Sequence, residues 1–425
     1  MFKSPSSSRP RRRIGLGTTL AALALVAVPA WLAPQSARAG CEDFDPSDHL
    51  SSRIVPNAKL DTKKFHDRIV AAMGDDYMGY VVILKDEKGK TIMRIEYGLA
   101  RSPCAPEGQK RFTRTTKTLW GSGGSKMTTF VSALHRVEHA SGAASPGPKL
   151  NLPFRRYLPR KWRNTVHEDF RDVTVGMLTQ HRAGFQKSAP KDPATGESVD
   201  MWTRLASEPE RPAGPGHRSY ANSSSTMFQY LPYFWAPAKA LNYDKSIEGR
   251  RGKAYHEAME AKGIELYVDY VQDRVFGPLG VSASCHDIDY AGNNWARYYR
   301  KPDASGPGHK EPHKAKCAAG GWVMSPAHMA KFVHAFAQTN AVISRGMYSK
   351  MTRDNDLRVG WWNRKQAADG PVLAHNGSTS YGAKSNIMHF TGSGFTLVAV
   401  TNTKKSPKWN LVDNYNASLK RRLTK

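Results

Sequence analysis

Apolar residues recur at Met127, Phe130, Val131, Leu134 and Val137, a spacing of three and four that predicts a helix with one core-facing stripe. Gly142 marks its expected end. Two pairs of short apolar runs, 80–84 with 91–97 and 385–390 with 395–400, are joined by Asp-Glu-Lys-Gly-Lys and by Thr-Gly-Ser-Gly at 391–394, and each pair predicts a β-hairpin. The hairpins lie near opposite ends of the chain, so the pattern predicts one antiparallel sheet built from both. A helix over 61–73 and a final helix should pack on that sheet. The final helix is expected to begin at Ser406-Pro407, a cap followed by an early proline, and to carry Leu411, Val412, Tyr415 and Leu419 on one face. The fold class is therefore α/β (α+β): a sheet part at about 60–110 and 370–425, flanked by terminal helices, with a large inserted helical region at about 111–369 and the site between them. No internal repeat interrupts residues 40–425, which read as one large unit.

The central helix opens with Ser122-Gly-Gly-Ser125-Lys126. Residues four apart share a helix face, so Ser122 and Lys126 are neighbours there. The positive end of the helix dipole favours a developing oxyanion and disfavours an ammonium, which is how a serine becomes a nucleophile with lysine as its base. A serine before a helix also serves simply as a cap.

Further segments settle the context. Residues 149–159 (KLNLPFRRYLP), 173–184 (VTVGMLTQHRAG), 215–222 (PGHRSYAN), 276–280 (FGPLG), 318–327 (AAGGWVMSPA) and His375-Asn376-Gly377 stand in the order of the signature segments of the serine β-lactamase, penicillin-binding-protein and esterase superfamily, which the chain resembles from about Leu60 to Leu419. The resemblance implies a β-lactamase/transpeptidase-like fold and acyl transfer through a serine ester. His375-Asn376-Gly377 takes the place of the Lys-Thr-Gly strand, in the His-x-Gly form of the esterase-like and class C-like branches.

The departure lies at the nucleophile. Family members read Ser-x-x-Lys, and counting back from Lys126 gives Gly123. Ser122 fits as nucleophile if one residue is inserted; Ser125, about 100° round the helix from Lys126, is the alternative. A third reading keeps the domain and loses the chemistry: a catalytically silent binding protein. By resemblance Tyr220 is a proton relay that sheds its proton beside ammonium groups, Asn222 orients a substrate amide or carbonyl, His375 edges the site, and Gly377 and Ser378 contribute the oxyanion side, with the Ser378 N–H as one donor and the nucleophile's own N–H as the other.

Composition adds compartment and partners. Arg11, Arg12 and Arg13, the apolar stretch 14–32, and Ala37-Arg38-Ala39 before Gly40 read as a signal peptide over 1–39, so the protein is expected to be exported, periplasmic or secreted, with no transmembrane segment in the mature chain. Ala39-Gly40-Cys41 is similar to a lipoprotein cleavage site, but Arg38 stands where an aliphatic residue belongs. The cysteines are Cys41, Cys104, Cys285 and Cys317, an even number suited to an oxidising compartment, and sequence order favours Cys41 with Cys104 and Cys285 with Cys317. His309 and His313 lie in a polar loop without helical pattern, so no metal and no organic cofactor is expected. The formal net charge is +27, of which the signal region contributes six, leaving +21. Such a surface favours an anionic cell-wall polymer or an acidic substrate, while nucleic acid has only the charge in its favour. The expected molecule is a monomeric serine hydrolase or acyl-transfer enzyme whose small-molecule or peptide substrate is an ester, a D-amino peptide or a β-lactam.

Overall fold

The structure, a computed structural model, describes residues 49–140, 148–185, 199–207, 215–285, 294–302, 306–310, 317–353 and 359–420. The expected signal peptide, Cys41, Gly142 and His313 lie outside them.

Among the described residues eleven strands build two sheets. The larger contains β1 (Ser51–Ile54), β2 (Gly79–Lys85), β3 (Thr91–Arg101), β4 (Lys110–Arg111), β8 (Asn363–Ala367), β9 (Gly370–Ser378), β10 (Lys384–Phe390) and β11 (Phe395–Thr401). Its order is β1-β3-β2-β11-β10-β9-β8 with β4 on β3, and every pair is antiparallel. The smaller joins β5 (Thr118–Leu119), β6 (Ala283–Ser284) and β7 (Val323–Met324) in the order β5-β7-β6. The hairpins therefore meet at β2 and β11, with Val82 opposite Ala399, as the apolar pattern predicts.

Period-two alternation divides the large sheet between two cores. Tyr80, Val82, Leu84, Val372, Ala374, Met388, Leu397 and Ala399 face α1 (Thr62–Met73) and the terminal helix Leu411–Ser418. Val81, Ile83, Leu373, Ile387, Val398 and Val400 face α2 (Gly121–Glu138), the helix Pro326–Gln338 and the inserted helical region. Both faces are covered, which is why β2 reads as an unbroken apolar run.

Some boundaries differ from the pattern. α2 stops at Glu138, where the His135 and His139 rings stack at 4.1 Å and the Glu138 carboxylate accepts from Ser344 N at 2.9 Å. β3 continues to Arg101 because Leu99 and Arg101 pair with β4. The terminal helix begins at Leu411, after Asn410 in a left-handed backbone (φ +40°), and not at Ser406: Tyr77 Oη donates to Ser406 O (2.9 Å) and accepts from Lys408 N (3.1 Å), which holds the chain off a helical path. The large sheet also reaches beyond its expected limits, to β1 and β8, whose polar residues carry no apolar signal.

Cys285 and Cys317 form a disulfide, as sequence order favours. Cys104 is disulfide-bonded too, and the Cys41 half of its expected pair lies outside the described residues. Closing a segment with a sequence separation of 32 restricts the unfolded chain. Cys285→Ala with Cys317→Ala should therefore lower unfolding free energy by about 3 to 4 kcal/mol, read from denaturant melts of the oxidised protein.

Candidate active site

The start of α2 is fixed by backbone packing. Trp120 N donates to Trp322 O (2.9 Å), Ser385 Oγ donates to Trp120 O (2.7 Å), and Gly121 turns the chain into the helix with φ +63°. Gly123 then lies directly on β9. A Cβ there would stand 2.6 Å from Asn376 C and 2.7 Å from Asn376 O, contacts with backbone that has nowhere to go. A Cβ on Gly377 would in turn meet Gly123 N at 2.3 Å and Ser122 N at 2.7 Å. Gly124 is glycine for a different reason, since its Cβ would enter the Trp120 ring at 2.2 Å. The position that strict counting gives the nucleophile is thus closed to any side chain.

Ser122 is the hydroxyl that α2 presents instead. Lys126 Nζ, fully buried, hydrogen-bonds to Ser122 Oγ and donates to Ala319 O (3.0 Å) and Ser122 O (3.4 Å). Burial pulls the Lys126 ammonium down to a pKa of about 7, so close to neutrality much of it is a free amine. Tyr220 Oη lies 3.1 Å from Ser122 Oγ and 3.4 Å from Asn222 Oδ1, and the lysine nitrogen stands 5.2 Å from the Tyr220 ring centroid. Desolvation raises the Tyr220 phenol above its usual range, with the bond to Ser122 opposing it. That direction is opposite to the one a surrounding of ammonium groups would give, and the adjacent lysine is itself held toward neutrality.

Ser125 does not join this group. It is fully buried, and its Oγ accepts from Trp322 N at 3.2 Å. His375 is buried against Gly123, donates from Nδ1 to Gly360 O at 2.7 Å, and is driven down to about 3 by burial and by Lys126, so it is a neutral wall. Gly377 and Ser378 end β9 beside Ser122. Two further residues join the group, His181 from the 173–184 segment and Trp362, neither of them named as a site residue from the sequence. His181, at φ +56°, stacks on Tyr220 with centroids 5.0 Å apart, and burial holds it neutral; Trp362 closes edge-on against both rings at 5.0 and 5.5 Å. The available signals were the 173–184 segment that holds His181 and the aromatic Trp361-Trp362 pair. Ser122, Tyr220, Asn222, Trp362, His375, Gly377 and Ser378 line one cavity of about 800 Å³. Among the described residues no group of three or more His, Cys, Asp and Glu is placed to hold a metal, and no helix is long and apolar enough to cross a membrane.

The family model described as Beta-lactamase matches residues 257–421, which include β9 and its His375-Asn376-Gly377 but not α2 or Tyr220. A class C β-lactamase from Rhodobacter sphaeroides has a similar structure, with a TM-score of 0.56 and 17% identity over 83% of this chain and 98% of its own. Another class C β-lactamase gives 0.58 and 17% over 86% and 99%. A β-lactamase/D-alanine carboxypeptidase from Pseudomonas syringae gives 0.57 and 15% over 82% and 96%. No curated protein matches the chain in sequence. At these identities the likeness establishes the fold, which is that of the serine β-lactamases and transpeptidases.

Gly123→Ser restores the strict Ser-x-x-Lys count and tests the packing argument. It should cost about 1 to 3 kcal/mol of stability in denaturant melts and yield no faster labelling by a fluorophosphonate than the parent chain; a stable variant that labels faster would show that the position is open.

Proposed function

We propose that this chain, which has the fold of the serine β-lactamases and transpeptidases and matches the Beta-lactamase family model over its C-terminal part, is an exported serine hydrolase or acyl-transfer enzyme that uses Ser122. The observation that carries the reading is the contact of one hydroxyl, Ser122 Oγ, with both a buried lysine nitrogen and a phenol.

The roles follow from protonation. A neutral Lys126 has two N–H groups for the carbonyls of Ala319 and Ser122 and one lone pair, which faces Ser122 Oγ. That lone pair takes the serine proton as Oγ attacks the acyl carbonyl. The resulting oxyanion sits between the N–H groups of Ser122 and Ser378, donors fixed in place where the start of α2 abuts the end of β9. Tyr220 gives its phenolic proton to the leaving alcohol or amine and regains one from the Lys126 ammonium, which leaves acyl-Ser122 and a neutral lysine. Lys126 then takes a proton from a water as it attacks the acyl carbon, and its ammonium returns that proton to Ser122 Oγ as the second tetrahedral species collapses to the acid, a free Ser122 and a neutral lysine. Asn222, beside Tyr220 Oη, orients the acyl donor, and His375 positions α2 against β9.

Substrate class rests on the end of β9. A neutral, buried histidine stands where the family carries the lysine of Lys-Thr-Gly, which favours esters or D-amino peptides over β-lactams, and one of the similar structures bears the name of a D-alanine carboxypeptidase. The Cys285–Cys317 disulfide supports an oxidising, exported setting. The alternative, a catalytically silent binding domain, rests on Gly123 at the counted position; Ser122 beside Lys126 supports the enzyme reading instead.

Kinetics on a p-nitrophenyl ester test the proposal. Ser122→Ala should lose essentially all turnover, Lys126→Arg should lose it as well because arginine cannot act as a base, and Tyr220→Phe should fall about 10²- to 10⁴-fold. The base works only when neutral, so kcat/KM should rise with pH through about 7 and level off above it. Undiminished hydrolysis by Ser122→Ala would refute the assignment.

A further inference from the structure

Tyr220 reaches Ser122 from a loop, and the residues on either side of it are both bonded to His181. Ser219 N donates to His181 O at 2.8 Å, and His181 Nδ1 stands 3.0 Å from Ala221 O and 3.2 Å from Ala221 N. Between these two anchors the imidazole lies on the phenol ring, with centroids 5.0 Å apart and planes at 28°. One residue thus grips 219, 220 and 221 in turn. The imidazole is itself wedged: Phe130 of α2 meets it edge-on at 84°, and Trp362, just before β8, at 82°. Phe130 belongs to the same helix as Ser122 and Lys126, so the clamp is referenced to the element that carries the nucleophile.

Holding a histidine here is unfavourable on two counts. His181 has φ +56°, a left-handed backbone that is uncommon for a residue with a Cβ. Its side chain is buried, and Nε2 has no hydrogen-bond partner among the described residues. Glycine would take the backbone without strain, and phenylalanine would fill the space without a stranded nitrogen. Neither offers both a flat ring against Tyr220 and a nitrogen at the backbone of Ala221. Strain kept in place beside a reacting group points to a geometric task.

We propose that His181 is a positioning residue that holds the Tyr220 phenol against Ser122 Oγ, ready to protonate the leaving group. The inference rests on Tyr220 as the proton donor when Ser122 is acylated: its phenolic proton passes to the leaving oxygen as the bond from that oxygen to the acyl carbon breaks. His181 moves no proton, since burial keeps its ring neutral. Without the stacked ring and the bond at Ala221, the phenol is free to take other side-chain rotamers, and its 3.1 Å contact with Ser122 Oγ becomes one arrangement among several.

The leaving group separates this role from general support of the fold. A p-nitrophenolate departs with little help from an acid, whereas an ethoxide requires the proton. The first measurement compares kcat/KM for p-nitrophenyl pentanoate and ethyl pentanoate in the parent chain, His181→Ala and His181→Asn. Asparagine accepts the left-handed backbone but brings no ring, so it removes the stacking without the strain. Both variants should lose about tenfold more on the ethyl ester than on the nitrophenyl ester. In a Tyr220→Phe background, which has no phenolic proton to position, His181→Ala should add less than about a twofold further loss on the ethyl ester. The second measurement needs no turnover: crystal structures of the parent and His181→Asn should show Tyr220 Oη beside Ser122 Oγ in the first and displaced by about 1 Å or more in the second. A displaced phenol in a chain that cleaves neither ester supports the clamp and sinks only the serine chemistry. Equal losses on the two esters, a full additive loss in Tyr220→Phe, or a phenol that stays in place in His181→Asn overturns the proposal.

Discussion

The structure turns on one close contact, the backbone of Gly123 lying against the backbone of Asn376 and Gly377. Two glycines, one on each element, let α2 and β9 approach more closely than any side chain permits. That approach sets the register of everything around it. It excludes a serine at 123, moves the presented hydroxyl to Ser122, and leaves Lys126 one full turn behind it on the same face. It also brings the Ser122 N–H beside the end of β9, where a second backbone donor is available.

The electrostatics follow from how that turn is buried. Among the described residues no acid pairs with Lys126; the partners of its Nζ are carbonyl and hydroxyl oxygens, which do not balance an ammonium charge. Burial then decides in favour of the neutral form. The carbonyl of Ala319 that helps to hold it belongs to the turn Cys317–Gly321, whose first residue is tied to Cys285 and whose Ala318 O accepts from Thr129 Oγ1 on α2 at 2.8 Å. The disulfide, the turn and Lys126 thus form one mechanical chain, and it reaches the site from the inserted helical region while β9 reaches it from the sheet.

Much of this was legible in the sequence, and the exceptions have a common cause. The hairpins and the stripe of α2 were readable because their apolar positions repeat at the period of the element that buries them. β1 and β8 were not, since edge strands with residues such as Arg53, Arg364 and Lys365 are held by backbone pairing that leaves no apolar trace. The start of the terminal helix was hidden for the reason that Tyr77, far away in the chain, holds residues 406–408. Ser122, Lys126, Tyr220 and Asn222 could be named from their segments, but the choice between Ser122, Ser125 and a vacant 123 depends on where Asn376 lies, which no local spacing encodes. His181 and Trp362 were missed because ring stacking across three segments makes them part of the site.

The central claim is that Ser122, one residue before the counted position, is the hydroxyl this fold activates. Peptide mapping by mass spectrometry after incubation of the intact mature protein with a fluorophosphonate tests it most directly. The account predicts a single stoichiometric adduct on Ser122 Oγ that appears faster above neutral pH than below it; an adduct on Ser125, or a chain that stays unlabelled across that range, would contradict it.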